Sequence, residues 1–436
     1  MAAKPEEKRR RGIPWMYSLL PVSLATGPLS TLIQLHLVQI EGPQLGVIYA
    51  GLAVSAFNGV SIPAAIFWGY TADRFQSRRN IVSLSYGFMS LSLLAFLFLN
   101  NAPGTILVYS IFAFISAAAA TPLNLLIMES EPKGTWAGAF ARLSMMSSVG
   151  FVGGLIVSTV WAQTLPIIFL TLPLGLCALA SAFFAYATIK DPIILLERET
   201  IARRQPSFFS RLRDLPLLFL KVPRLSDFRR GFRGLGNVLT SYVPLFYISV
   251  ILFYLSSGLY NTSFVPALSS FSLSAGEVFG VILAGMLVQT LAFRYATGYF
   301  SRHSLVAASI QGLLLRGACY VLIGVFVVLL SGQVYIVPAL LLYPLAAGVA
   351  FVAYYTASNT MMFNMVQGRN PGSTLGVYSA VVGFATLTGS LLSGFVSVYS
   401  GFDVTFISAA ALLFAAAFIV SRLPARSEEV QPKPSS

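Results

Sequence analysis

Twelve apolar runs, each long enough to cross a lipid bilayer, dominate this sequence of 436 residues. A bilayer core of ~30 Å needs about 20 apolar residues in a helix. In lipid every backbone polar group must be paired internally, which helices achieve. The sequence therefore predicts an all-α, polytopic membrane protein. We number the runs as spans 1 to 12: 14–39, 44–71, 80–100, 105–129, 136–161, 164–189, 238–266, 275–299, 303–331, 334–366, 373–399 and 402–422.

The composition excludes most classes of soluble protein. Only 10% of the residues are charged, whereas soluble domains contain about 25%. Two histidines and two cysteines provide no zinc cluster, and no nucleotide-binding or hydrolase motif is present. We therefore expect no enzyme activity, no catalytic or metal-binding residue and no cofactor.

One long polar stretch divides the spans into two groups of six. It covers residues 190–237 and is most simply a linker between two pseudo-symmetric six-helix bundles. The expected organisation is a tail at 1–13, a bundle at 14–189, the basic linker at 190–237, a bundle at 238–422 and a tail at 423–436.

The positive charges predict the orientation. Of 28 Lys and Arg residues, 25 lie in the termini and the even-numbered connections, and the odd-numbered connections contain none. Basic connections stay on the cytoplasmic side, so we expect both termini and the linker to be cytoplasmic in a multi-pass protein of the cell membrane. The net charge of +13 then favours contact with anionic membrane lipid, and we expect no nucleic-acid partner.

The two halves contain similar glycine patterns. Gly51 and Gly69 in span 2 are separated by 18 residues, as are Gly280 and Gly298 in span 8. A rival register places Gly46 on Gly280, so both alignments remain open. Repeats of six spans are typical of alternating-access transporters.

A motif follows span 2. The sequence from Gly69 through Asp73 and Arg74 to Arg78 and Arg79 resembles the Gly-x-x-x-Asp-Arg-x-x-x-Arg-Arg signature of the major facilitator superfamily. With the twelve-span plan and the long middle loop, the resemblance extends over nearly the whole chain. It implies the fold of that family, with two six-helix bundles.

The resemblance also implies a conformational latch. In the family, the acid corresponding to Asp73 contacts the start of span 11 and helps to hold the outward-open state. From the residues themselves, a carboxylate is stabilised by the free amides at a helix N-terminus. The three arginines could pair with Glu129 or Glu131, or could act only as charges that set the orientation.

The second half departs from the family pattern. Arg302 stands where the counterpart of Asp73 is expected, so the second latch is absent or differently built. Span 5 contains the glycine-rich stretch Gly150–Gly154, similar to that of family exporters, but Leu155 replaces the proline that follows it there. This difference disfavours drug efflux.

Three arginines lie inside the spans. Arg142 could be a helix-end partner of Glu129 or a solute contact, Arg294 an anion contact or a lipid headgroup contact, and Arg316 a structural group. Ionisable groups at membrane depth are costly, and all fifteen acids lie at helix ends or in loops. His36 is interpreted as a core histidine with a partner or as a titratable group.

The resemblance implies that spans 1, 4, 7 and 10 line the transport pathway. Their uncharged polar residues favour a solute that forms hydrogen bonds, although contacts between helices are an equal alternative. The candidate pathway residues, with Arg142 of span 5 included, are Thr31, Gln34, Asn124, Arg142, Tyr254, Asn261, Tyr355 and Asn359.

We therefore predict a monomeric secondary active transporter of a small organic solute that works by alternating access. Multidrug efflux within the same superfamily is the first alternative. A receptor or scaffold that kept the fold but lost transport is an alternative from a different class.

Overall fold

The structure is a computed structural model that describes residues 14–74, 77–130, 136–189, 242–300, 304–366 and 371–423. The predicted linker and both predicted tails lie outside the described residues. Every regular element within the described ranges is helical, as the sequence predicts.

The helices follow the twelve apolar runs in order. Span 1 comprises Pro14–Ser18, Leu19–Thr26 and the first part of Leu29–Arg74, whose remainder is span 2. The others are Arg78–Ala95 (span 3), Ala102–Ser130 (4), Trp136–Thr164 (5), Thr171–Thr188 (6), Tyr242–Ser270 (7), Ala275–Phe300 (8), Leu305–Leu329 (9), Ile336–Tyr343 with Pro344–Ala350 and Phe351–Val366 (10), Pro371–Ser400 (11) and Phe402–Ser421 (12).

Spans 1 and 2 are joined almost without a loop. Eleven segments of the described residues are long and apolar enough to cross a membrane, and the first of them contains 55 residues. A helix of that length would be about 80 Å long. Gly42 interrupts it with φ +80° and ψ 178°, a conformation that glycine adopts without steric cost. The first segment therefore contains two spans, and the predicted twelve-helix fold is confirmed.

Span 10 contains a feature that the apolar run does not reveal. Its middle, Pro344–Ala350, is a π-helical turn between two α-helical segments. Pro344 has no N–H for the i−4 hydrogen bond, and a π turn accommodates such an interruption. The backbone of this turn lies against span 9, where a Cβ at Gly312 would meet the Ala350 carbonyl oxygen at 2.9 Å.

Glycines bring span 5 against span 1. A Cβ at Gly150 would lie 2.7 Å from the carbonyl oxygen of Leu20, and one at Gly154 would overlap the carbonyl oxygen of Leu24. On span 1, a Cβ at Gly27 would lie 2.8 Å from the Cα of Phe151. The two backbones are therefore in direct contact, which small residues permit in membrane helices.

The second half repeats this contact between spans 7 and 11. A Cβ at Gly389 would overlap the carbonyl oxygen of Leu255, and one at Gly258 would meet the backbone of span 11. Leu255 and Gly258 follow Leu24 and Gly27 by the same 231 residues. Equivalent helix pairs in the two halves thus use equivalent glycines.

The contacts between the halves favour one of the two repeat registers. Gly51 in span 2 lies against Gly394 in span 11, and Gly280 in span 8 lies against Thr159 in span 5. Gly280 follows Gly51 by 229 residues, and Gly394 follows Thr159 by 235. The register that pairs Gly51 with Gly280 therefore matches residues with equivalent neighbours.

The contact of span 5 with span 1 gives a testable prediction. Gly154→Ala places a methyl group on the Leu24 carbonyl and should destabilise the protein by about 1–3 kcal/mol. The matched control is Gly153→Ala, whose Cβ would meet only Leu24 Cδ1 at 3.8 Å. The Tm of the purified chain in one detergent should fall for Gly154→Ala and stay unchanged for Gly153→Ala. Equal Tm values for the two variants would contradict the close backbone contact.

Candidate functional site

Spans 2 and 11 pack together at one end of the bundle. We call the opposite end, where spans 2 and 3 connect through residues 74–78, the basic end. Far from it, a Cβ at Gly51 would lie 3.1 Å from the Cα of Gly394. Nearer the middle, a Cβ at Gly383 would lie 2.8 Å from the side chain of Ile62. The two halves are therefore in contact from the far end to about mid-membrane.

Spans 2 and 11 separate towards the basic end. Ile66 lies one helical turn beyond Ile62 on the same face, and Ser379 lies one turn before Gly383. Ile66 is 72% exposed, and Ser379 is also exposed. The close contact between the halves on these faces thus ends within one turn.

Spans 5 and 8 show the same arrangement. At the far end, a Cβ at Gly276 would lie 3.0 Å from Gln163 Cγ, and one at Gly280 would lie 3.8 Å from Thr159 Cγ2. Leu287, two turns nearer the basic end on the same face of span 8, is exposed. Both pairs of spans therefore pack at the far end and leave exposed faces towards the basic end.

A cavity of about 580 Å³ lies among spans 1 to 5 of the first half. On span 4 its lining extends from Tyr109 to Asn124, which is about 22 Å along the helix towards the basic end. The polar lining residues are Thr26, Ser30, Asn58, Ser116, Asn124 and Ser147, and the aromatic ones are Phe57, Tyr86, Tyr109, Phe112 and Phe151.

The lining can offer hydrogen bonds but no charge. All twenty lining residues are uncharged. Within the described part of the chain, the side-chain amides of Asn58 and Asn124 form no hydrogen bond. Each amide can both donate and accept. No three His, Cys, Asp or Glu residues in the described ranges form a group suited to a metal ion.

The candidate residues of spans 1 and 4 occupy different places. Asn124 lines the cavity, whereas Thr31 and Gln34 are buried outside its lining. Gln34 Nε2 donates to Ser30 Oγ at 3.2 Å, and Gln34 Oε1 is buried without a partner. Asn58 was not among the sequence candidates, although it is an isolated amide in an apolar run and could have been selected on that basis.

Tyrosines of spans 7, 10 and 11 form a cluster in the second half. The hydroxyl of Tyr378 lies beside those of Tyr254 and Ser358, and Tyr355 is also close. Tyr378 is only 8% exposed, and no hydrogen bond of normal geometry reaches its hydroxyl. The structure thus brings together the candidate residues Tyr254 and Tyr355 around a phenol that sequence reasoning did not select.

The other two candidates of the second half lie apart from one another. Asn359 is half-buried one turn beyond Tyr355 on span 10. Asn261 is exposed on span 7, two turns from Tyr254 on the side of the far end. The tyrosine cluster, and not these amides, is the concentrated polar feature of the described second half.

Two of the three span arginines are exposed. Arg142 precedes Leu143, which lines the cavity, but Arg142 itself lies outside the lining. Arg294 lies on the face of span 8 that packs against span 5 at the far end, about three and a half turns nearer the basic end.

Arg316 is enclosed by aromatic rings and is only 2% exposed. Its Nε donates to the hydroxyl of Tyr320 at 2.8 Å, and its guanidinium carbon lies 4.8 Å from the ring centre of Phe253 and 5.4 Å from that of Phe351. Such cation–π contacts are strongest when desolvated. This side chain therefore joins spans 7, 9 and 10, which favours the structural interpretation.

The latch residues are described only in part. The side chains of Asp73, Arg74 and Glu129 lie outside the described residues, and Gly69 is half-buried. Arg78 is buried and donates from Nη1 to the carbonyl of Ala72 at 3.5 Å.

The neighbouring arginine and the histidine of span 1 have identified contacts. The guanidinium carbon of Arg79 lies 4.6 Å from the ring centre of Tyr186. His36 is buried, and its Nε2 lies 3.3 Å from the carbonyl oxygen of Leu99. This contact fits a core histidine that has a hydrogen-bond partner.

Comparison with known proteins extends these observations. The model of the Major Facilitator Superfamily matches residues 17–354. A search of curated protein sequences found no match.

Several solved structures share the fold. The nucleoside transporter NupG is 14% identical, with a TM-score of 0.59 over 94% of this chain and 98% of that one. A POT family transporter in complex with 5-aminolevulinic acid is 13% identical, with a TM-score of 0.66 over 95% of both chains. The human organic anion transporter MFSD10 is 19% identical, with a TM-score of 0.56 over 96% of this chain and 100% of that one. At these identities the likeness shows the fold alone.

The contacts of Arg316 predict a stability effect. Arg316→Lys keeps the charge but loses the planar group that stacks on the rings and bonds Tyr320, so the Tm in detergent should fall. The control is Arg422→Lys, because Arg422 also stacks on one ring, that of Phe418, but is exposed. An unchanged Tm for Arg316→Lys would contradict the structural role.

Proposed function

Since the chain belongs to the major facilitator superfamily, a family of membrane transporters, we propose that it is a secondary active transporter of a small organic solute. Two six-helix bundles rock about a site between them, as in other transporters built from repeats. Solute enters from one side of the membrane, and the packed end separates to release it on the other.

The packing of spans 2 and 11 supports this proposal most directly. Their backbones touch at Gly51 and Gly394, and the faces that follow on the side of the basic end are exposed at Ile66 and Ser379. Spans 5 and 8 do the same. A structure closed at one end and exposed at the other is one of the two end states that alternating access requires.

The charge distribution supports an orientation for this state. Because basic connections remain cytoplasmic, we assign the basic end to the cytoplasm, with both termini on that side of the cell membrane. The conformation is then inward-open. The cavity of the first half and the tyrosine cluster of the second half are the parts of the proposed pathway with the most free polar groups.

The structural relatives differ in what their names say they carry: a nucleoside, 5-aminolevulinic acid and an organic anion. They support transport of small organic solutes without favouring one of them. The departure at Leu155 disfavours efflux. Asn58 and Asn124, which form no hydrogen bond in the described chain and line a cavity, favour transport over a scaffold.

Distance measurements test the transport proposal. Spin labels at Ile66→Cys and Ser379→Cys, in a background of Cys177→Ala and Cys319→Ala, report the separation of spans 2 and 11 at the basic end. Alternating access predicts two populations of label–label distances in the reconstituted protein. A single narrow population under all conditions would favour the scaffold alternative and overturn the proposal.

The latch gives a second prediction for the same labels. Asp73→Asn should shift the distances towards the wider population by about two- to fivefold, because it weakens an anion–helix contact of roughly 0.3–1 kcal/mol. Asp403→Asn makes the same charge change at the far end, in the first turn of span 12, and should leave the populations unchanged. An unaltered distribution for Asp73→Asn would show that the latch does not operate.

The orientation has its own prediction. A cysteine at Ser210, within the linker, should react with an impermeant thiol reagent only after the cells are opened. A cysteine at Ser331, an exposed residue at the far end between spans 9 and 10, should react in intact cells. Labelling of Ser210→Cys from outside would reverse the assigned orientation.

A further inference from the structure

We propose that the cavity of spans 1 to 5 binds an uncharged solute that carries a flat ring and hydrogen-bonding groups. This inference rests on the proposed transport function and specifies its substrate class. It depends on three properties of the lining: the absence of charge among its residues, its aromatic surface and its free amides.

The electrostatics of the lining disfavour ions. None of its twenty residues carries a charge, and a desolvated ion without a partner costs several kcal/mol. Arg142 is the charged residue next in sequence to the lining, and it is exposed outside it. The opposite side of this half at the far end has His36, which already contacts the carbonyl of Leu99. A neutral solute avoids the cost of desolvating a charge.

The aromatic residues favour a ring. Phe57 of span 2 and Tyr109 of span 4 have ring centres 4.7 Å apart, with their planes tilted by 32°. Both line the cavity, together with Phe112 one turn from Tyr109. Offset and tilted ring contacts contribute about 0.5–1.5 kcal/mol beyond burial. A planar group that enters beside these rings gains such contacts on more than one side.

The amides supply directional recognition. Asn58 and Asn124 come from spans 2 and 4, which are different walls of the cavity, and each has a donor and an acceptor that no described residue uses. Ser147 on span 5 adds a hydroxyl that also lacks a hydrogen bond within the described chain. A solute with several hydroxyl or amide groups can satisfy groups on three spans at once, whereas a hydrocarbon would leave them unpaired.

The size of the cavity agrees with such a solute. Its volume of about 580 Å³ lies within the range of roughly 300–1,000 Å³ that is usual for small-molecule sites. The lining includes Leu143 and Asn124 near the basic end of spans 5 and 4. Entry from that end therefore leads past one of the free amides to the aromatic residues near mid-membrane.

Thiol labelling tests the proposal without knowledge of the natural substrate. The full chain carries Asn58→Cys in the background of Cys177→Ala and Cys319→Ala. Four methanethiosulfonates are compared: the neutral methyl and benzyl reagents, the anionic sulfonatoethyl reagent and the cationic trimethylammonioethyl reagent. All rates are divided by those for free glutathione.

Two control positions separate charge from simple partitioning. Ser331→Cys is exposed at the far end and reports reaction in water. Leu176→Cys lies on an exposed apolar face of span 6 and reports partitioning of the reagents into the detergent shell. Ser147→Cys, on span 5 of the cavity, repeats the experiment if Asn58→Cys does not fold.

The proposal predicts a defined pattern. At Asn58→Cys both charged reagents should react at least about tenfold more slowly, relative to the neutral methyl reagent, than at Ser331→Cys. The ratio of benzyl to methyl rates should be higher at Asn58→Cys than at Leu176→Cys. Arg142→Gln should leave the pattern unchanged, because Arg142 lies outside the lining.

Other patterns overturn the proposal. Preferential reaction of the anionic or the cationic reagent at Asn58→Cys would show a charged site, and equal rates for all reagents would show no selection. A benzyl-to-methyl ratio no higher than at Leu176→Cys would remove the ring preference. Failure of every reagent at both cavity positions would show that the cavity does not admit solutes.

The outcome is independent of the test for transport. If the spin labels show one fixed distance and the labelling still selects neutral ring reagents, the transport proposal fails and the ligand class stands. If two distances are found and the labelling selects an ion, transport stands and the ligand class fails.

Discussion

The structure depends on direct contact between helix backbones at glycine. In a bilayer the hydrophobic effect does not drive helices together, because lipid tails are as apolar as leucine side chains. Close packing must then hold the bundle, and packing energy grows with the number of atoms in contact. Gly154 on Leu24 and Gly389 on Leu255 place backbone atoms where a Cβ would overlap. These two contacts define the same helix pair in each half.

The same principle works between the halves, but there it must be reversible. Gly51 against Gly394 is a backbone contact like those within each half, whereas Gly280 against Thr159 is looser, at 3.8 Å. Within a half, hydrogen bonds between spans add to the packing, as when Ser393 Oγ donates to the carbonyl of Leu259 and Ser256 Oγ to that of Ala409. Firm contacts inside each half and lighter ones between them favour motion of the halves as units.

Much of the fold could be predicted from the sequence, and less of the site. Apolar runs locate the spans because the bilayer imposes their length, and residues 190–237 separate the two groups of six. The π turn at Pro344 and the helical continuity around Gly42 depend on local backbone geometry, which hydropathy does not record. On span 1, helical spacing shows that Thr31 and Gln34 are close, but not which face meets the cavity. Asn58 was missed because family resemblance directed attention to spans 1, 4, 7 and 10.

The enclosure of Arg316 has a consequence for how the chain is made. A bare arginine at the centre of a new span costs about 2.5–3.5 kcal/mol on insertion scales. Tyr320, its hydrogen-bond partner, belongs to the same helix and enters the membrane with it, whereas Phe253 arrives two spans earlier and Phe351 one span later. Synthesis therefore presents the charge to lipid before its enclosure is complete. Span 7 must remain near the site of insertion, so the second half assembles as a group and not helix by helix.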